Sequence, residues 1–143
     1  LALAYSVNGL SQTMGTANYI ISLTQELLTP HLLPCVIFMV AAVMAFATGS
    51  SWGTFAICMP IALPLAFSMS GGEVTQLVVA VFAAVAGGGV FGDHCSPLSD
   101  TTILSSMGSA SDHLDHVRTQ LPYALTCGAL AAAAYLVLGF VIG

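Results

Sequence analysis

The chain has 143 residues, 57% hydrophobic and only 5% charged, with a formal charge of −5 and mean hydropathy of +0.97. Soluble domains carry about 25% charged residues, so water cannot wet this surface and the solvent must be lipid. The single basic residue, Arg118, excludes a nucleic-acid-binding patch.

Residues 1–10 are apolar and read as the end of a membrane helix stopped near Asn8-Gly9. No basic leader precedes them, so no signal peptide is expected, and the chain opens as though cut from something longer. Across residues 16–28, Tyr19, Ile20, Leu23 and Leu27 recur at helical spacing while Asn18, Ser22, Gln25 and Glu26 lie elsewhere. That pattern predicts an amphipathic, interfacial helix. Pro30 and Pro34 then punctuate the chain.

Residues 32–47 and 54–69 are apolar runs, each worth about 24 Å of helix and slightly short for a hydrocarbon core of about 30 Å. Between them lies Thr48-Gly49-Ser50-Ser51-Trp52-Gly53. Short limbs around a Gly/Ser turn predict a re-entrant helical hairpin with its tip inside the membrane; a pair of ordinary spans, or one interrupted span plus another, is the alternative. Non-helical backbone at that depth requires surrounding protein or a water-filled cavity. Pro60 and Pro64 are expected to kink the second limb.

After a turn at Ser70-Gly71-Gly72-Glu73, residues 74–92 form the next predicted span. It ends in Gly87, Gly88, Gly89 and Gly92, and Gly88 and Gly92 have the spacing that lets another helix approach closely. A half-helix is expected over residues 99–107, then a polar loop over 108–115, then a full span over 121–142. No internal repeat is visible. Cys35, Cys58 and Cys127 are expected to be buried small hydrophobes, since they lie in apolar stretches and no pair has CxxC spacing. Arg118 is the one datum from which the positive-inside rule assigns its loop to the cytoplasm.

The chemistry concentrates in Val90-Phe91-Gly92-Asp93-His94-Cys95-Ser96-Pro97-Leu98-Ser99-Asp100-Thr101-Thr102. An Asp at the centre of a membrane helix costs roughly 2.5–3.5 kcal/mol on translocon scales, so intramembrane acids imply a partner. Pro97, which removes a donor, and Gly92, which needs no side-chain room, are expected to break the helix here, and if it breaks between Asp93 and Asp100, both carboxylates can face one cavity. Free carbonyls of one half-helix and the positive end of the other would meet there. Na+ wants oxygen ligands, and a carboxylate in low dielectric favours holding a proton, so cation and proton compete for one group. Asp93, nearest the helix end, is the first candidate and Asp100 the second. Ser96, Ser99, Thr101 and Thr102 can add hydroxyl oxygens, or Ser99 or Asp100 can cap the second half-helix, and the two roles are compatible. His94 is a candidate proton relay or a hydrogen-bonded structural histidine. At the hairpin tip, Ser50, Ser51 and Thr54 can face the same cavity; the plainer reading is an interfacial turn anchored by Trp52. Asp112-His113-Leu114-Asp115-His116 has metal-ligand spacing, but beside Arg118 it reads as a solvated loop or hydrogen-bonded turn.

Residues 47–54, 90–106 and 112–124 resemble the NhaC-type Na+/H+ antiporter family. The resemblance implies a multi-pass protein of the bacterial cytoplasmic membrane whose relatives exchange Na+ for protons, or organic acids such as malate and lactate. It also implies membership of a larger transporter group built from inverted repeats, hairpins and broken helices. Family members are longer and the likeness is to their C-terminal part, so the N-terminal half is an implied partner.

Residues 1–143 are thus expected to be a single all-α, polytopic membrane unit with a re-entrant hairpin and a broken helix, resembling one half of an inverted-repeat transporter. The expected activity is Na+/H+ exchange by alternating access, with no cofactor beyond the transported ions, and a homodimer is compatible with it. A rival from another class is an intramembrane aspartyl protease. Both acids here lie on one short segment, however, and Gly89-Val90-Phe91-Gly92-Asp93 lacks the GxGD spacing. A non-transporting fragment is the third reading.

Overall fold

The computed structural model describes residues 29–142 and, before them, Ser6, Gly9, Leu10, Thr13, Met14, Gly15 and Tyr19. The helix end expected at 1–10 and the interfacial helix expected at 16–28 lie almost wholly outside the described residues. From residue 29 the chain forms α1 (Leu33–Thr48), α2 (Ser51–Met69), α3 (Gln76–Cys95), α4 (Asp100–Gly108) and α5 (His113–Ile142). By length and composition α2, α3 and α5 can each cross a membrane, and α1, at 16 residues, is shorter. Among the described residues every regular element is a helix, and the protein is a multi-pass membrane protein.

The helix boundaries follow from local chemistry. Pro34 sits in the first turn of α1, where a missing N–H costs nothing. Gly49 ends α1 at φ +64°, a left-handed conformation in which its N–H reaches Ala45 O. The turn is tighter than the six residues expected from the sequence. Ser50 N-caps α2, its Oγ accepting from Gly53 N at 3.2 Å, so helix resumes at Ser51. Pro60 and Pro64 both lie inside α2.

α3 is the central helix and packs against all four others. Its fit to α1 has a simple register. A Cβ added at Gly88 would run into Phe38 O, and one at Gly92 would run into Ala42 O. One turn further on, Ser96 Oγ donates to Phe46 O at 2.7 Å. Each α3 position therefore meets the α1 carbonyl fifty residues earlier, advancing four residues per step on both helices. The two helices run parallel, with Gly88-xxx-Gly92-xxx-Ser96 as the contact stripe. Small residues permit this backbone approach, the usual device of helix pairs that lack a hydrophobic driving force in lipid.

The core between α1, α2 and α3 is closed by Leu33, Ala41, Leu65, Val81 and Val85, all buried. α5 crosses behind α1 and α3, with the Phe91 ring over Gly128 and Tyr135 against Phe38 at 5.2 Å between ring centroids. Most of the spanning stretch of α5 is exposed to its surroundings. In lipid an exposed apolar stripe is expected rather than anomalous.

Three expectations need correction. The third span does not end at Gly92 but continues through Cys95, which places Asp93 and His94 inside its last turn. Gly92 does not break the helix because it is packed on α1; the break comes at Ser96 (ψ 131°), which precedes Pro97 and is pushed out of helical geometry by it. The polar loop expected over 108–115 shrinks to residues 109–112, since Asp112 caps α5 and helix restarts at His113. Finally, Cys58 is buried but Cys35 is only half-buried and Cys127 is exposed, because most of α5 faces outward.

Candidate functional site

Parallel packing of α1 and α3 brings two interruptions of the helical backbone to the same level. One is the Gly49-Ser50 turn between α1 and α2; the other is the run Ser96–Ser99 between α3 and α4. They touch. A Cβ on Gly49 would lie 2.7 Å from the carbonyl carbon and oxygen of Leu98 and 2.9 Å from Ser99 N, so only glycine admits this approach. Ser96 is fully buried and works twice, donating to Phe46 O at 2.7 Å and accepting from Leu98 N at 3.1 Å.

Asp93 sits just before this junction. It is 7% exposed, and its Oδ1 is the one buried side-chain oxygen or nitrogen that lacks a hydrogen-bond partner among the described residues. Burying a carboxylate without compensation is costly, so Asp93 is the buried polar group here that calls for an explanation. Gly89 and Asp93 share a face of α3, being four residues apart, and the Phe55 ring of α2 lies against Gly89. Asp93 therefore follows, one turn on, the face that meets the start of α2.

Two of the hairpin-tip candidates lie in the same neighbourhood but are engaged. Ser50 Oγ caps α2, and Thr54, 1% exposed, donates its hydroxyl to Ser50 O at 3.0 Å. Ser51, in the first turn of α2, is half-buried. On the other strand of the junction, Ser99 is buried and pairs with Thr101 Oγ1 at 2.7 Å, while Thr101 itself is exposed. Asp100 is exposed at the first residue of α4, its Oδ1 accepting from Thr101 N at 2.9 Å. The two acids thus stand on opposite sides of the break, one buried and one at the surface of this segment. The His94 side chain is exposed.

The carbonyls of the break are not free, as the sequence led us to expect. Asp93 O accepts from Ser96 N at 3.1 Å and Ser96 O from Ser99 N at 3.3 Å. His94 O accepts from Thr102 Oγ1 at 3.3 Å and from Gln120 Nε2. Pro97 O is 2.8 Å from His113 Nε2. A broken helix leaves orphan carbonyls, and here the break itself, α4 and the first turns of α5 all supply donors. His113 and Gln120, two turns apart on one face of α5, were missed as contributors to the junction. Their signal is the seven-residue spacing, which is visible only once residues 113–120 are read as helix rather than loop.

Comparison with known proteins identifies the family. The model of the Na+/H+ antiporter family matches residues 1–140. An uncharacterised protein of Haemophilus influenzae is 44% identical over 140 residues, covering 98% of this chain and 26% of that protein. The malate-2H(+)/Na(+)-lactate antiporter of Bacillus subtilis is 32% identical over 118 residues, 82% of this chain and 24% of its own length. The arginine/ornithine antiporter ArcD of Halobacterium salinarum is 36% identical over 125 residues, 87% of this chain and 25% of its own length. The chain spans about a quarter of the length of these curated relatives. No solved structure matches it at a significant level. The family is one of transporters rather than enzymes, which sets the protease reading aside. With the family model matching residues 1–140, the chain belongs to the Na+/H+ antiporter family.

Proposed function

We propose that this segment carries the coupling carboxylate of a Na+/H+ exchanger that works by alternating access in a bacterial cytoplasmic membrane. The observation that carries the reading is Asp93: buried, with an unpartnered oxygen, beside the meeting point of two helix breaks. A carboxylate there binds Na+ from one side, releases it on the other, and returns protonated. Ser50, Ser51, Thr54, Ser96 and Thr101 are the nearby hydroxyl oxygens that would complete the coordination, Asp100 the second acid and His94 the relay at the exposed edge. The remaining ligands come from the part of the transporter outside this segment, consistent with a chain covering about a quarter of its relatives.

The experiment is Na+-driven proton movement in proteoliposomes holding the full-length transporter that contains this segment. Asp93→Asn abolishes exchange on this reading, and near-normal exchange removes Asp93 from the mechanism. One alternative has specific support: relatives named for malate/lactate and arginine/ornithine exchange match the same residues. An organic substrate taken up against Na+ or H+, in place of simple cation exchange, would replace the Na+/H+ reading while leaving Asp93 as the coupling group.

A further inference from the structure

The last turn of α3 carries Asp93 and ends on a carbonyl that has lost its helical donor. In a continuing helix His94 O would accept from Leu98 N. At the break that N–H turns to Ser96 Oγ instead, at 3.1 Å. His94 O, the oxygen of the peptide that closes the Asp93 turn, is left for side chains to satisfy.

Two side chains take it, from two different helices. Thr102, the third residue of α4 and 4% exposed, donates its hydroxyl at 3.3 Å. Gln120 donates its Nε2 from α5, 26 residues along the chain. A carbonyl oxygen has two lone pairs, and two donors fill both. Of the two α5 side chains that bond the break, His113 reaches Pro97 O beyond it, whereas Gln120 reaches the turn that carries Asp93. Asp93 Oδ1 has no hydrogen-bond partner among the described residues, so the backbone beneath it, rather than a bond at that oxygen, aims it.

We propose that Gln120 is a positioning residue for Asp93: with Thr102 it holds the His94 carbonyl, which fixes the last turn of α3 and with it the direction of the carboxylate. The hold is shared, so either donor alone sustains part of it and loss of both releases it. It also ties the acid to α4 and α5, so a shift of either helix is felt at Asp93. The consequence for ion binding rests on the function proposed above; the hold itself does not.

The test has two arms, both on the full-length transporter that contains this segment. In lipid nanodiscs, amide hydrogen exchange is followed at residues 94–96. Gln120→Met and Thr102→Val, which keep the shape without the donor, each speed exchange about threefold, the scale of one side-chain hydrogen bond in a membrane protein. The double variant speeds it about thirtyfold, more than the product of the two, because loss of the last donor orphans the carbonyl. Thr102→Ser, which keeps the hydroxyl, keeps the protection of the unaltered protein. Unchanged exchange in Gln120→Met, or a double effect no larger than the product, overturns the proposal. In proteoliposomes, Gln120→Met raises the half-saturating Na+ concentration about threefold and leaves the maximal rate within about twofold of the unaltered value. A fall in maximal rate at unchanged half-saturation is the mark of a purely structural role and also overturns it. Absence of any exchange by the unaltered transporter counts against the proposed function, and the amide arm then decides the hold on the Asp93 turn alone.

Discussion

Ser96 and Phe46 are fifty residues apart, yet the Ser96 hydroxyl donates to the Phe46 carbonyl at 2.7 Å. Phe46 lies in the last turn of α1, where carbonyls have run out of helical donors. A side chain from the break in α3 thus satisfies the end of α1, and the same oxygen accepts from Leu98 N to hold the break itself. Ser96→Ala leaves the Phe46 carbonyl and the Leu98 N–H unpaired in a part-buried position. Each unsatisfied buried group costs about 1–3 kcal/mol. Chemical or thermal denaturation of the purified transporter is expected to report a loss of about 2 kcal/mol or more. Ser96→Thr, which keeps the hydroxyl, recovers part of it.

Gly49 makes a different demand. Its φ of +64° costs an L-residue roughly 1–2 kcal/mol, and the position abuts the Leu98 carbonyl and Ser99 N. Both penalties act together in Gly49→Ala, because the new methyl group meets backbone rather than a mobile side-chain end. Gly71, also at positive φ (+68°) but with open space around it, carries the conformational penalty alone. Folded yield by fluorescence-detected size exclusion is expected to fall much further for Gly49→Ala than for Gly71→Ala. Equal losses would show that the contact between the two breaks contributes nothing.

The parallel register of α1 and α3 is tested at Gly92, whose added Cβ would overlap Ala42 O. Gly92→Val must separate two helices along their tightest line, and overpacking of this kind costs about 3 kcal/mol or more. Gly108, at the end of α4 with nothing near it, is the control for the same substitution. Thermal unfolding in detergent distinguishes them, the Gly92 variant losing stability and the Gly108 variant keeping most of it.

Much of this architecture is legible in the residues themselves. Long apolar runs, the Gly/Ser interruption at 48–53 and the Pro97 break mark α1 to α4 to within a few residues, because helix starts and stops in lipid depend on local caps and prolines. The close approach of another helix at Gly88 and Gly92 follows from their spacing. What the sequence does not carry is the partner: nothing local shows that the stripe faces α1, or that an offset of fifty residues sets both interruptions side by side. The carbonyls of the break illustrate the same limit. Taken alone they look free, but donors from Gln120 and His113 reach them from a helix that begins within a segment polar enough to read as loop. Local chemistry identified the acids, and tertiary packing determined that only one of them is buried in this segment.

That inequality between the acids yields the last prediction. Asp93 is 7% exposed with an unpartnered oxygen, whereas Asp100 is exposed and bonds to its own helix start at Thr101 N. A carboxylate at a helix N-terminus is stabilised by the dipole and by water, so neutralising it removes a modest, salt-screened interaction. On the proposed function, a buried carboxylate without a partner would change its occupancy, proton or cation, with every transport step. Asp100→Asn is therefore expected to retain most Na+-driven proton exchange, with an altered half-saturating Na+ concentration at low ionic strength that converges on the parent value in high concentrations of an inert salt. Asp93→Asn is expected to abolish exchange at any ionic strength. If the two variants lose exchange equally, both acids contact the ion, and the part of the transporter beyond this segment must bury Asp100 as deeply as α3 buries Asp93.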